Sequence, residues 1–197
     1  MSLQIVKKTG VVYDPVFLKI LEDIPGGVTV KTNRFPTTIK EIKKGVLLNA
    51  SASSLGLYNI IKVAKVAATT GTNATLLIVE SPHLFIAGEF IKKSGYARTI
   101  TRVSATNIEI ATSLTGSELP VGELLDEAPI AKESGATVKY AADAILRNNI
   151  EIRRGGVETV LDNIFAGVVV RGTVDESELP YFVTTQQKSD LTARIRF

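Results

Sequence analysis

The chain has 197 residues, 45% of them apolar, and a formal net charge of +3 from 23 Lys and Arg against 20 Asp and Glu. That apolar share over that length supports a packed core and excludes the disordered class. The absence of cysteine removes disulfides, zinc–thiolate sites and cysteine nucleophiles together, and a single histidine, His83, rules out a multi-histidine metal site within one chain.

From the N-terminus, Gln4 to Tyr13 is a β-prone stretch around Thr9-Gly10. Asp14-Pro15 reads as an N-cap followed by proline at the first helical position. Phe17, Ile20, Leu21 and Ile24 then recur at helical spacing until Pro25-Gly26-Gly27 stops them, which predicts a helix of barely three turns. Val28-Thr29-Val30 and Arg34-Phe35-Pro36 follow. Residues 1–39 are read as an arm that packs on other surfaces, with an element folded back on its own domain as the alternative.

From Ile39 the pattern turns to β. Lys44-Gly45 enters a strand through Val46 to Leu48, Ser51 to Gly56 is a loop of turn formers, and Tyr58 to Val66 returns. The alternation in that returning segment is imperfect, so a helix stays open there. Thr69 to Asn73 is a loop, and Ala74 to Glu80 is dense in Leu, Ile and Val. Leu84 to Ile91 reads as a strand with a bulge at Gly88, reversed by Lys92-Lys93-Ser94-Gly95. Thr99 to Val103 and Ile108 to Ala111 flank a four-residue hairpin loop. Thr115-Gly116-Ser117 and Leu119 to Gly122 close a unit whose spacing predicts a small barrel.

In the last third, Ala144 to Leu146 leads to Ile150 to Arg153, and Gly155-Gly156 reverses the chain into Val157 to Leu161. Ala166 to Val174 holds Val168, Val169 and Val170, apolar on both faces as a strand in mid-core requires. Gly172 reads as a bulge. Asp175 to Pro180 is a capped helical turn. The chain closes on alternation, Leu191, Ala193, Ile195 and Phe197 on one face against Thr192, Arg194 and Arg196, so a terminal strand is expected to pair with a sheet, its own or a neighbour's, with pairing across a subunit boundary preferred.

Little in this order of residues carries chemistry. His83 has no nucleophile motif near it and reads as a strand-edge histidine. Thr70-Gly71-Thr72 lacks the Lys-Ser/Thr of a phosphate loop. The acidic group Glu118, Glu123, Asp126 and Glu127 does not match a calcium loop. The first 66 residues hold ten Lys and Arg against four Asp and Glu. These are scattered singly with few aromatic rings, which favours a solvated or protein-docking face over nucleic acid. No apolar run approaches the roughly 20 residues that span a bilayer, and Met1 to Lys8 lack a signal-peptide centre, so the chain is expected in a cytoplasm until it is assembled. No catalytic, cofactor-binding or metal-ligating residue is assigned, and no cofactor is expected.

Ile42-Lys43-Lys44-Gly45-Val46-Leu47-Leu48, the segment Tyr58 to Val66, then Tyr140 to Gly156 and Ala166 to Pro180 together resemble the head-decoration and head-fibre proteins of tailed bacteriophages. In those proteins a lysine–glycine strand entry opens the domain, and a valine-rich strand ending in Arg-Gly with a small polar turn closes it. Phe85 to Leu125 resembles the small β-barrel inserted in them, while residues 1–39 have no counterpart. The resemblance implies a mostly-β fold, a β-tulip or sandwich-like decoration domain over 40–69 and 128–183. It adds an inserted barrel over 70–127, an N-terminal arm with a short helix over 1–39 and a C-terminal strand over 184–197.

By the same resemblance the chain is a virion structural protein and not an enzyme, made in a bacterial cytoplasm and placed on the outer capsid surface. It would be a homotrimer partnered by the major capsid protein and by other head-fibre proteins, with neither nucleic acid nor membrane as a partner. A closed oligomer on a symmetric lattice gains avidity, and an extended arm or free strand suits pairing between neighbours. The candidate interface is the stripe Phe17, Ile20, Leu21 and Ile24 with the closing residues Leu191, Ile195 and Phe197. Three other readings compete. One is another virion part such as a tail or baseplate adaptor. The second is a host-surface carbohydrate-binding module, against which the lack of tryptophan counts. The third is a small hydrolase, for which no nucleophile or acid–base pair shows itself.

Overall fold

The computed structural model describes residues 15–36, 39–114, 118–152 and 163–197. The β-prone run Gln4 to Tyr13, the cap at Asp14, the turn Thr115-Gly116-Ser117 and the reversal at Gly155-Gly156 with the strand after it lie outside the described residues.

Those residues form a mostly-β fold with one α-helix. In chain order the strands are β1 (Phe17–Asp23), β2 (Val28–Lys31), β3 (Glu41–Ile42), β4 (Leu47–Ala50), β5 (Leu57–Ile60), β6 (Val63–Lys65), β7 (Leu76–Ile78) and β8 (Phe90–Lys93). They continue as β9 (Tyr96–Val103), β10 (Asn107–Ile110), β11 (Leu124–Ala128), β12 (Ala144–Leu146), β13 (Ile150–Glu151), β14 (Asn163–Ala166), β15 (Val168–Val174) and, after helix α1 (Thr185–Leu191), β16 (Ile195–Arg196).

The larger sheet runs β1-β15-β12-β4-β5-β2-β14, with β16 beside β15. Successive residues along its central strands serve opposite faces. Leu48, Leu146 and Val168 join Val30 and Ile42 in one apolar cluster, while Leu47, Ile145 and Val169 join Phe17, Leu191 and Ile195 in another. A sheet covered on both faces needs apolar residues at consecutive positions, which is why these strands read as unbroken apolar runs. Val168 and Val169 are fully buried, and Val170 is partly buried.

The second sheet runs β6-β11-β8-β9-β10-β7. Its end strands meet: Val66 bridges Val79, the Ala67 amide donates to the Ile78 carbonyl at 2.9 Å and that of Glu80 to Lys65 at 2.8 Å. The sheet thus curls around Phe85, Ile91, Ile100, Ile108 and Leu125. The chain enters it at Val63, and the end of β11 lies on the neighbouring antiparallel strand with Val63 opposite Asp126, after which Lys132 still bridges Ala97 of β9. The predicted strand Leu84 to Ile91 starts only at Phe90. Before it, Ala87-Gly88 makes a turn, with Gly88 at φ +85 and its amide bonded to the Ile100 carbonyl.

Two predicted elements differ in kind. Phe17 to Ile24 carries helical spacing, yet Phe17–Asp23 is a strand antiparallel to β15. A three-turn helix is marginal alone, whereas the valine-rich β15 offers this segment a full row of backbone partners, and tertiary pairing overrides the weak helical preference. The pairing steps from Phe17↔Val174 to Lys19↔Thr173, and from Ile20↔Gly172 to Glu22↔Arg171. Leu18 and Leu21 are therefore the extra residues of two bulges on β1. Gly172 is needed for close approach: a Cβ there would lie 2.5 Å from the Lys19 carbonyl oxygen.

The C-terminal segment is the second difference. Thr184 accepts from the Gln187 amide while the Gln187 side chain accepts from the Thr184 amide, a reciprocal cap that starts α1 and carries it to Leu191. Only Ile195–Arg196 is strand, and it pairs parallel to β15 of its own chain, Gly172↔Ile195 and Thr173↔Arg196. Of the expected apolar face, Leu191 and Ile195 are thus buried within the chain itself, Phe197 is partly buried and Ala193 is exposed.

Leu191 is fully buried in its own subunit's core. Leu191→Ala should therefore cost about 2–5 kcal/mol of unfolding free energy. Urea denaturation should find that loss unchanged by protein concentration, whereas a loss that grows on dilution would place Leu191 in a subunit interface.

Candidate functional site

Titratable groups converge at one place, the seam where the two sheets meet. Lys62 lies in the link between β5 and β6, Glu89 in the turn before β8, Glu127 on β11, Lys139 in the segment leading to β12, and Arg34 after β2. Burial is nearly complete: Lys62 is 4% exposed, Glu89 2% and Glu127 4%. Lys62 Nζ donates to Glu89 Oε1 and to the Arg34 carbonyl, each at 2.6 Å, and stands 5.2 Å from the centre of the Phe35 ring. Glu89 Oε2 accepts from the Ile86 amide at 3.0 Å, and Arg34 Nε approaches Oε1 at 3.6 Å. Lys139 donates to Glu127 and sits 5.0 Å from the Tyr140 ring centre.

Burial lowers the pKa of Lys62, with the charge and hydrogen bond of Glu89 opposing it. Burial raises Glu127, against the hydrogen bond from Lys139 and with the charge of Glu89 adding to the rise. Partial burial pulls Lys139 down, but the hydrogen bond and charge of Glu127 outweigh that and leave it raised. Two carboxylates in one cleft resemble an acid–base pair. Here, however, each is spent on a lysine, and the cavity beside them holds only about 70 Å³. That is room for a few water molecules, well short of the roughly 300 Å³ at which small-molecule sites begin. The arrangement acts as a clasp: its cations and anions come from segments on either side of the seam, and removing one partner strands the other in an apolar setting.

His83 belongs to the same region and is 4% exposed. Its Nε2 meets the Ser104 carbonyl at 2.7 Å, a contact in which the ring nitrogen donates, while Nδ1 has no partner. Burial lowers its pKa, the Ser104 contact opposes, and the charge of Lys62 lowers it further. It borders an apolar cavity of about 440 Å³ lined by Phe35, Ile39, Pro82, Ile86 and Val103. The acidic group singled out in the sequence does not assemble: Glu123 pairs with Lys93, Glu127 with Lys139, and Asp126 accepts from Gln187 at 3.2 Å. Among the described residues no set of three Asp, Glu or His side chains is placed to hold a metal ion, and no helix is long and apolar enough to cross a membrane.

The candidate interface residues divide by exposure. Phe17, Leu191 and Ile195 are buried in one core cluster and Phe197 packs partly against it, while Ile24 packs partly against the other face of the same sheet. Ile20 and Leu21 remain exposed, joined by Leu18, and the two leucines are the bulged residues of β1 at 52% and 59% exposure. A bulge re-aims a side chain out of the regular pleat, so this edge presents apolar side chains to solvent. Phe165 on β14, at the opposite edge of the sheet, is also exposed. Leu18 and the seam are absent from the sequence-based set. Bulge positions carry no local signature, and the seam residues lie far apart in the chain.

Glu89→Ala should lower unfolding free energy by about 3–5 kcal/mol, because Lys62 is left buried without its carboxylate. Lys62→Met/Glu89→Leu, which removes both charges, should recover much of that loss in urea titrations. An equal loss in both variants would show that packing rather than charge pairing is at stake.

The depressed pKa of His83 fixes a sign: its contribution to stability is present above about pH 6.5, its unfolded value, and is lost as pH falls through the folded value. His83→Gln keeps a donor for the Ser104 carbonyl without titrating. The thermal midpoint of the native protein should therefore fall more steeply than that of the variant between neutral pH and pH 5, and parallel curves would remove His83 as the cause. Comparison of the chain with protein-family models, with curated proteins and with solved structures finds no match.

Proposed function

We propose that the chain is a structural protein of a bacteriophage virion that binds the outer capsid surface, as a head-decoration protein or the base of a head fibre, and that it performs no catalysis. One observation carries the reading: the edge strand β1 displays Leu18, Ile20 and Leu21 to solvent. Other large apolar residues are exposed too, among them Leu55, Val121, Ile130 and Phe165, but β1 places three within four residues of one edge strand, and a cluster of that kind marks a surface suited to being covered. The kind of partner is proposed from the resemblance of Ile42 to Leu48, Tyr58 to Val66, Tyr140 to Gly156 and Ala166 to Pro180 to decoration and head-fibre proteins, with which a β-rich fold is compatible. The buried carboxylates support a non-enzymatic role, since each is held by a lysine.

Binding of this kind stabilises a shell by mass action. A symmetric oligomer, for which we propose a trimer, multiplies that effect by engaging several shell subunits at once. The two bulges on β1 break its regular ladder, which disfavours addition of a further strand, so contact through side chains is the mode proposed.

Co-sedimentation with empty shells, assembled from a major capsid protein of the phage genome that encodes this chain, tests the reading. The native chain should pellet with shells, and Leu18→Asp/Ile20→Asp should reduce the pelleted fraction by about tenfold or more while the thermal midpoint holds, as expected for loss of a desolvated apolar contact. Failure of the native chain to pellet would overturn the capsid reading. Unimpaired pelleting of the variant would remove β1 as the contact.

A further inference from the structure

Beside β1 the large sheet carries a groove of about 320 Å³ whose walls come from three adjacent strands. β1 supplies Lys19 and Leu21, β15 supplies Arg171 and Thr173, and Arg194 and Arg196 come from β16 and the residue before it. Four cationic side chains thus share one shallow face, in a chain whose net charge is only +3. Little of that charge is answered within the subunit. Arg171 and Glu22 approach to 3.8 Å with both side chains more than half exposed, and Arg194 approaches Asp143 to 3.6 Å. Such exposed pairs are worth about 0–1 kcal/mol. Lys19 and Arg196 make no ion pair among the described residues.

We infer that this groove binds an acidic segment of a partner polypeptide, with carboxylates on the three arginines and an apolar side chain against Leu21. Three of the four cations are arginines, whose planar forks match carboxylates in pairs. The exposed Leu21 lines the groove beside these cations, and arginine next to apolar surface is the composition of protein interfaces. A nucleic-acid site of this size would offer a ring on which to stack a base, and no aromatic residue lines the groove. The inference goes beyond capsid attachment, since it fixes the chemistry of the partner segment whichever assembly supplies it, and failure to bind shells leaves it standing.

Fluorescence anisotropy with a labelled acidic peptide, Glu-Glu-Leu-Glu-Glu-Leu-Glu-Glu, tests it on the full chain. The native protein should bind the peptide, with affinity that falls as salt rises. Arg171→Glu/Arg194→Glu/Arg196→Glu should weaken binding by about tenfold or more, since like charges then face each other. Lys19→Glu/Arg196→Glu, which breaks no ion pair described here, should weaken it in the same direction and decides the matter where the triple variant fails to fold. The inference is overturned by absence of binding to the native chain, by undiminished binding in a folded variant, or by single-stranded DNA of equal charge displacing the peptide at lower concentration than free peptide does.

Discussion

Strand β15 is the member on which the large sheet depends. It is paired along one side with β1 and along the other with β12 and then β16. Its side chains also enter both apolar clusters, Val168 on one face and Val169 and Val174 on the other. A strand in that position must be apolar on both faces, able to form a ladder on both sides, and narrow enough at one point for its neighbour to bend. The sequence Val168-Val169-Val170-Arg171-Gly172 meets all three demands. β-branched residues suit the pleat, and the missing side chain at Gly172 lets the Lys19 carbonyl approach. The same approach accompanies the bulges that turn Leu18 and Leu21 outward, so the need to bury the centre of the sheet and the display of apolar residues at its edge share one cause.

The electrostatics divide along the same lines. At the seam Lys62, Glu89 and Glu127 are buried and paired, which shields them from salt, and their effect falls on stability. Charges on the face of β1, β15 and β16 are exposed and largely unanswered, so their effect falls on association and its salt dependence. One basic chain thus holds two sets of lysines and arginines with different work. Net charge alone does not separate them.

Much of the β organisation was legible, and the reasons for the misses are specific. Thr99 to Val103 and Ile108 to Ala111 flank a polar four-residue loop, and the pair is an antiparallel hairpin in the structure. The valine run of β15 was likewise plain. Phe17, Ile20, Leu21 and Ile24 misled because their spacing does not record one buried face: Phe17 and Ile24 pack against different clusters, while Ile20 and Leu21 are exposed on the edge strand. The alternation from Leu191 to Phe197 misled because Leu191 ends a helix while Ile195 lies in a strand, so two unrelated elements place apolar residues at matching parity. The signal that would have corrected it, Thr184 followed three residues later by Gln187, lay upstream of the alternation. The seam had no local signal as a unit, although Glu127 stood out within an acidic group: Lys62 and Glu89 are 27 residues apart, and Glu127 and Lys139 are 12 apart on different elements.

The path of the chain into the curled sheet sets how that sheet would respond to force. Entry at Val63 and exit at the end of β11 lie side by side at one end of an antiparallel pair. A pull separating the two sheets therefore loads the ladder between β6 and β11 as a zipper, one hydrogen bond at a time, and not in shear, where all would resist together. Lys62 with Glu89 and Glu127 with Lys139 sit at the mouth of that zipper. They resist the first step of opening, and the exit segment adds its own resistance beyond them, through the bridge of Lys132 to Ala97 and the pairing of Arg98 with Glu133.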